Sequence, residues 1–173
     1  MRRALALLVA LAASVLLAGC SGGGLGGDAP VSLLPEADRE PAPAVSVPAL
    51  DGAGRVDLAE YRGTPVVLNF WASWCEPCAR ETPALVALSK ERPRLDVVGL
   101  AVNDRASDAR RFATSEEVPY DLGLDTDATA LGKFDASGLP ATVVIDADGR
   151  VASTFFGEIT AKQLDSFADQ LGV

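Results

Sequence analysis

Cys75 and Cys78 are the residues whose types and spacing best suit chemistry. They stand in Trp74-Cys75-Glu76-Pro77-Cys78, just after the apolar run Val66-Val67-Leu68-Asn69-Phe70-Trp71. A cysteine that opens a helix holds its sulfur near backbone N–H groups the helix leaves unpaired, at the positive end of the dipole. Both effects favour the thiolate, which is the form that attacks disulfides. Cys78 lies one helical turn further on, so the two sulfurs can meet. Pro77 suits the first turn, where it forfeits no intrahelical hydrogen bond. The chemistry expected is exchange: Cys75 attacks a disulfide, a mixed disulfide forms, and Cys78 resolves it.

The spacing has rivals. Half a zinc site would need two further ligands, but the chain has no histidine and only three cysteines, so no metal and no other cofactor is expected. Haem attachment needs a histidine after the second cysteine, where Ala79 stands. A purely structural bridge across one turn closes too short a loop to stabilise much. The absence of histidine also removes Ser-His-Asp and Cys-His nucleophile pairs.

The third cysteine belongs to the N-terminus. Arg2 and Arg3 precede an apolar run over residues 4–18, the pattern of a secretory signal and too short for a comfortable membrane span. The run ends in Leu17-Ala18-Gly19-Cys20, which resembles the bacterial lipobox, in which the cysteine is lipidated and becomes the new N-terminus. The alternative is an ordinary signal peptide or uncleaved anchor with an incidental cysteine. The expected organisation is a signal over 1–19, a lipidated Cys20 with a flexible Gly-, Pro- and Ala-rich tether over 20–42, and one domain over 43–173. Loss of 1–19 removes Arg2 and Arg3 and no acid, so the net charge of −9 becomes −11. Such a surface repels nucleic acid and offers no polybasic patch to anionic lipid.

Several elements must position the pair. Strands are expected near 45–47 and 55–58 around the Asp51–Gly54 turn, then at 66–71, 95–102, 120–124, 141–145 and 150–156. Helices are expected at 81–91 with a kink at Pro83, and at 107–117, 128–134 and 161–171, the last capped by Thr160. A short turn is expected at 58–61. Asp148-Gly149 marks a hairpin between the last two strands. Strands alternating with helices, then a hairpin and a closing helix, give an α/β fold with a mixed sheet covered on both faces. Trp71 and the Phe155-Phe156 pair read as packing, Trp74 as an apolar rim beside the nucleophile.

The segment Asn69-Phe70-Trp71-Ala72-Ser73-Trp74-Cys75-Glu76-Pro77-Cys78 resembles the active-site segment of the TlpA/ResA/DsbE-like thioredoxins, extracytoplasmic proteins often tethered to the membrane. The similarity runs from about residue 43 to the end and is most specific over 66–83 and around Pro140. It implies a thioredoxin fold with an added N-terminal β-hairpin. Glu76-Pro77 matches the ResA-type dipeptide, and Glu81 the acidic residue this subgroup keeps near its cysteines. Leu139-Pro140 falls where the family has its cis-proline, which faces the cysteines while the preceding residue offers backbone to the substrate chain. Asn69 replaces the buried aspartate of ordinary thioredoxins and cannot exchange a proton, which leaves acid–base work to Glu81; a solvated acid in the helix's first turns is the plainer reading of that residue.

The resemblance implies a reductase of substrate disulfides such as the haem-binding cysteines of apocytochrome c, supplied with electrons by a membrane thiol–disulfide donor. The same pair could serve a disulfide-forming oxidase or isomerase, since direction is set by reduction potential. A peroxiredoxin-like peroxidase and a non-catalytic binding lipoprotein are the further alternatives.

Overall fold

The computed structural model describes residues 30–173; the expected signal, Cys20 and the first part of the tether lie outside the described residues. A five-stranded sheet in the order β5-β4-β3-β6-β7 organises the rest. Its centre is β3 (Val66–Trp71), buried at every position, as the nearly continuous apolar run predicts. β4 (Asp96–Val102) and β5 (Asp121–Asp125) run parallel to β3, while β6 (Ala141–Ile145) and β7 (Val151–Phe156) add antiparallel pairings on its other side. Because strand side chains alternate, Val66, Leu68 and Phe70 point to one face, and Val67, Asn69 and Trp71 to the other.

The first face is covered by α3 (Thr129–Lys133) and by a separate hairpin of β1 (Ser46–Pro48) and β2 (Arg55–Asp57). The second face carries α1 (Glu76–Glu91), α2 (Ala106–Ser115) and α4 (Ala161–Leu171). This is the mixed α/β architecture expected, with the N-terminal hairpin present. The hairpin docks on the edge strand: the Leu50 N–H donates to the Leu122 carbonyl at 2.7 Å. Gly123 permits that approach, since a Cβ there would stand 2.5 Å from Val47 Cγ2.

β3, β6 and α4 occupy their expected spans, and a 3-10 turn covers Leu58–Tyr61. The helix expected to open at Cys75, with Pro77 in its first turn, and the helix expected at 81–91 are one element, which runs from Glu76 to Glu91 through Pro83. α2 ends at Ser115 and β5 starts at Asp121, each shifted by a residue or two at frayed ends.

The expected tether over 20–42 is corrected over its described part. Residues 31–42 lie along β7 and the end of α4. The Leu34 N–H donates to the Ala152 carbonyl at 2.7 Å and the Val151 N–H to the Glu40 carbonyl at 2.8 Å. Arg39 pairs with Asp146 at 3.1 Å, each side chain only 12% exposed. Composition suggested a free linker because the stretch has few large apolar residues. Its backbone instead pairs with the start of the open edge of β7, at Val151 and Ala152, a need that composition does not display.

Candidate active site

Cys75 and Cys78 form a disulfide at the point where the chain leaves the central strand and enters α1, with their Cα atoms 5.3 Å apart. Ala72, Ser73 and Trp74 make the connection, and the Cys75 N–H turns back to the Ala72 carbonyl at 3.1 Å. Cys75 is the N-cap of α1: its sulfur accepts from the Cys78 N–H at 3.3 Å. A free thiolate at Cys75 would meet that same donor and the positive end of the helix. Cys78 is fully buried, and Cys75 keeps a small opening to solvent. Of the two sulfurs, that of Cys75 is therefore the one open to solvent.

Glu81, one turn beyond Cys78, is not a solvated acid. It is 2% exposed, between α1, the central strand and the loop before α4. One oxygen accepts from the Asn69 amide at 2.7 Å, the other from the Ile159 N–H at 2.9 Å. Asn69 also donates to the Thr142 hydroxyl, its cross-strand neighbour on β6, at 3.3 Å. Burial raises the Glu81 carboxyl to about 7; the bonds from Ile159 and Asn69 pull it down, and the charge of nearby Glu158 pushes it up. Burial, and then the charge of Glu81, raise the Tyr120 hydroxyl.

The rim is made by several elements. The Leu139–Pro140 bond is cis, at the start of β6, and Leu139 packs against the cluster that holds both cysteines. Trp74 stands 63% exposed beside Cys75, its indole N–H donating to the Asn103 carbonyl at 3.3 Å. Glu76 projects outward to Arg80 at 3.1 Å, and Arg80 also reaches Glu158 at 2.7 Å. Pro77 is half-buried in the first turn. Trp71 is core, packed on Phe112 with ring centroids 5.0 Å apart. The Phe155-Phe156 pair divides: Phe155 packs beneath α1 and α4, but Phe156 is 58% exposed, which corrects the reading of both as packing. Phe156 sits opposite Ala141, which follows Pro140, at the end of the edge strand.

Cys20 lies outside the described residues. Three participants escaped the sequence reading. Thr142 and the Ile159 N–H hold the Asn69–Glu81 pair from elements distant in the chain. Asp104 holds the turn before Cys75, its carboxylate accepting from the Ser73 N–H at 2.6 Å and the Ser73 hydroxyl at 3.0 Å. The Asn69-to-Thr142 register follows once β3 and β6 are paired, but nothing local to Asp104 or Ile159 marks them.

Residues 39–154 match the AhpC/TSA family. Among curated relatives, the thiol-disulfide oxidoreductase ResA of Bacillus subtilis is 31% identical over 65% of this chain, and the match spans 64% of that protein's length. ResA of Bacillus cereus is 26% identical over 75% of this chain and 76% of its own. Among solved structures, a DsbF homologue from Corynebacterium diphtheriae superposes with a TM-score of 0.75 at 28% identity, over 84% of this chain and 95% of that one. A secreted thiol-disulfide isomerase from Corynebacterium glutamicum gives 0.74 at 25% identity, over 86% of this chain and all of that one.

Proposed function

The chain belongs to the AhpC/TSA family, and from that premise we propose that it is a thiol–disulfide oxidoreductase of the ResA/DsbE type, held outside the cytoplasm and working as a reductase. One observation carries the reading: Cys75 caps α1 with its sulfur on the Cys78 N–H, while Cys78 lies wholly buried within reach. In the reduced protein the Cys75 thiolate attacks one sulfur of a substrate disulfide and becomes joined to it, while the substrate S–S bond breaks and the other substrate sulfur leaves as thiolate. Cys78, deprotonated, attacks Cys75; the mixed disulfide breaks and the second substrate thiol is released. Two electrons have passed to substrate, and a dithiol donor must return them to the Cys75–Cys78 bridge.

Glu81 is assigned the proton of this cycle. A carboxyl near 7 can take a proton from the resolving thiol and return it within the working pH range. Trp74, Glu76, Pro77, Leu139 and Pro140 form the substrate-facing rim. The lipidated Cys20 ties the domain to the membrane, within reach of a membrane thiol–disulfide donor, and disulfides such as those of apocytochrome c haem-binding cysteines are the substrates that the ResA likeness favours.

A second reading, isomerisation or oxidation of secreted proteins, is favoured by the similarity to the secreted isomerase from Corynebacterium glutamicum. The Cys78→Ser variant tests the class. It should accumulate mixed disulfides through Cys75, whose identification names the substrate. No trapped species, together with no activity of the wild type on insulin, would remove the oxidoreductase reading altogether.

A further inference from the structure

We propose that Asp104 is a positioning residue for the attacking thiol, acting through Ser73. The inference rests on the oxidoreductase reading above and adds a residue to it. Asp104 lies in the connection between β4 and α2, far in sequence from the cysteines, yet both its oxygens are spent on the turn that delivers Cys75. Oδ2 accepts from the Ser73 N–H at 2.6 Å and Oδ1 from the Ser73 hydroxyl at 3.0 Å. Oδ1 also accepts from the N–H of Arg105, the N-cap of α2, at 2.8 Å, so the carboxylate joins the entries of two helices. The adjoining Asn103 carries φ of 49° and offers its carbonyl to the Trp74 indole. The loop thus grips both residues that precede Cys75.

The grip bears on reactivity because the Cys75 sulfur has to lie over the start of α1. The turn from Trp71 to Cys75 holds itself by a single backbone bond, from the Cys75 N–H to the Ala72 carbonyl. Charge-assisted hydrogen bonds to a half-buried carboxylate are the stronger constraint. Without them the turn can swing, and the sulfur loses the Cys78 N–H and the helix end that favour its thiolate. The carboxylate's own negative charge works the other way, since a nearby anion disfavours a thiolate. Three donors on one carboxylate offset much of that charge, so geometry is the larger effect.

The two effects differ in sign, and the test uses this. The full-length protein is reduced, and the rate of Cys75 alkylation by iodoacetamide is followed against pH in wild type, Asp104→Ala, Asp104→Asn and Ser73→Ala. Asp104→Ala should move the profile upward by up to about one pH unit, slowing alkylation at neutral pH by up to about tenfold. Asp104→Asn keeps an acceptor and should lie between it and wild type. Ser73→Ala keeps the charge, loses only the hydroxyl bond and should shift less, in the same direction; it also carries the test if Asp104→Ala does not fold. An unchanged profile in Asp104→Ala or, failing that variant, in Ser73→Ala overturns the proposal, as does an equal downward shift in both Asp104 variants, which would mean that charge alone acts. Insulin reduction is assayed alongside. A wild type without that activity removes the oxidoreductase reading, whereas the alkylation profiles still decide the role of Asp104.

Discussion

Glu81 binds its proton more tightly folded than unfolded, with a carboxyl raised from 4.5 to about 7. Desolvation exceeds the combined pull of the Asn69 amide and the Ile159 N–H, because almost no water reaches the site. The folded state therefore holds more protons between those values, and stability falls as pH rises from about 4.5 through about 7. Glu81→Gln should remove that slope, worth roughly 3 kcal/mol at most, in urea denaturation at pH 5 and pH 8. The variant should also lose an inflection near pH 7 in the thiol alkylation profile. Equal slopes in wild type and variant would mean that folding does not raise the Glu81 carboxyl. The spacing of Glu81 from Cys78 was readable in the sequence. Its burial was not, since that depends on Asn69, Thr142 and Ile159 converging from three separate elements.

The elements that hold these residues are tuned by short contacts. α4 opens with a capping box in which the Thr160 hydroxyl accepts from the Gln163 N–H, directly after the Ile159 N–H that binds Glu81. Thr160→Ala should cost about 1 kcal/mol in chemical denaturation. Gly123→Ala should cost about 1–3 kcal/mol, because its Cβ meets Val47 Cγ2 and Leu100 Cδ2 where the hairpin crosses β5; an unchanged midpoint would mean the hairpin yields freely. Strand β3 was plain in the sequence because its run is apolar at every position but Asn69, and the start of α4 because Thr160 caps it. At α1 the helix opening at Cys75, with Pro77 in its first turn, was legible, whereas its continuity with the stretch at 81–91 was not, because Pro83 reads as an interruption.

At the scale of the molecule, residues 31–42 bind the start of the edge of β7, and Arg39 anchors them to Asp146. Arg39→Ala should lower stability by about 1.5–3 kcal/mol and quicken limited proteolysis within 31–42; unchanged cleavage would show that the backbone bonds suffice. Asp146 keeps its bonds from the Asp148 and Arg150 N–H groups, so the variant should still fold. If Cys20 is the lipid attachment point, Cys20→Ala should move the protein from the membrane to the soluble extracytoplasmic fraction.

The Cys75–Cys78 disulfide stands at the capped start of α1 with Cys78 buried, and the direction in which such a pair is used is a matter of potential. The most direct test of its use as a reductase is the reduction potential of the Cys75–Cys78 couple in the full-length protein, equilibrated with dithiothreitol or glutathione buffers. The reductase reading predicts a value near the roughly −270 mV of a reducing thioredoxin. A value near the roughly −120 mV of a dedicated oxidant would contradict it.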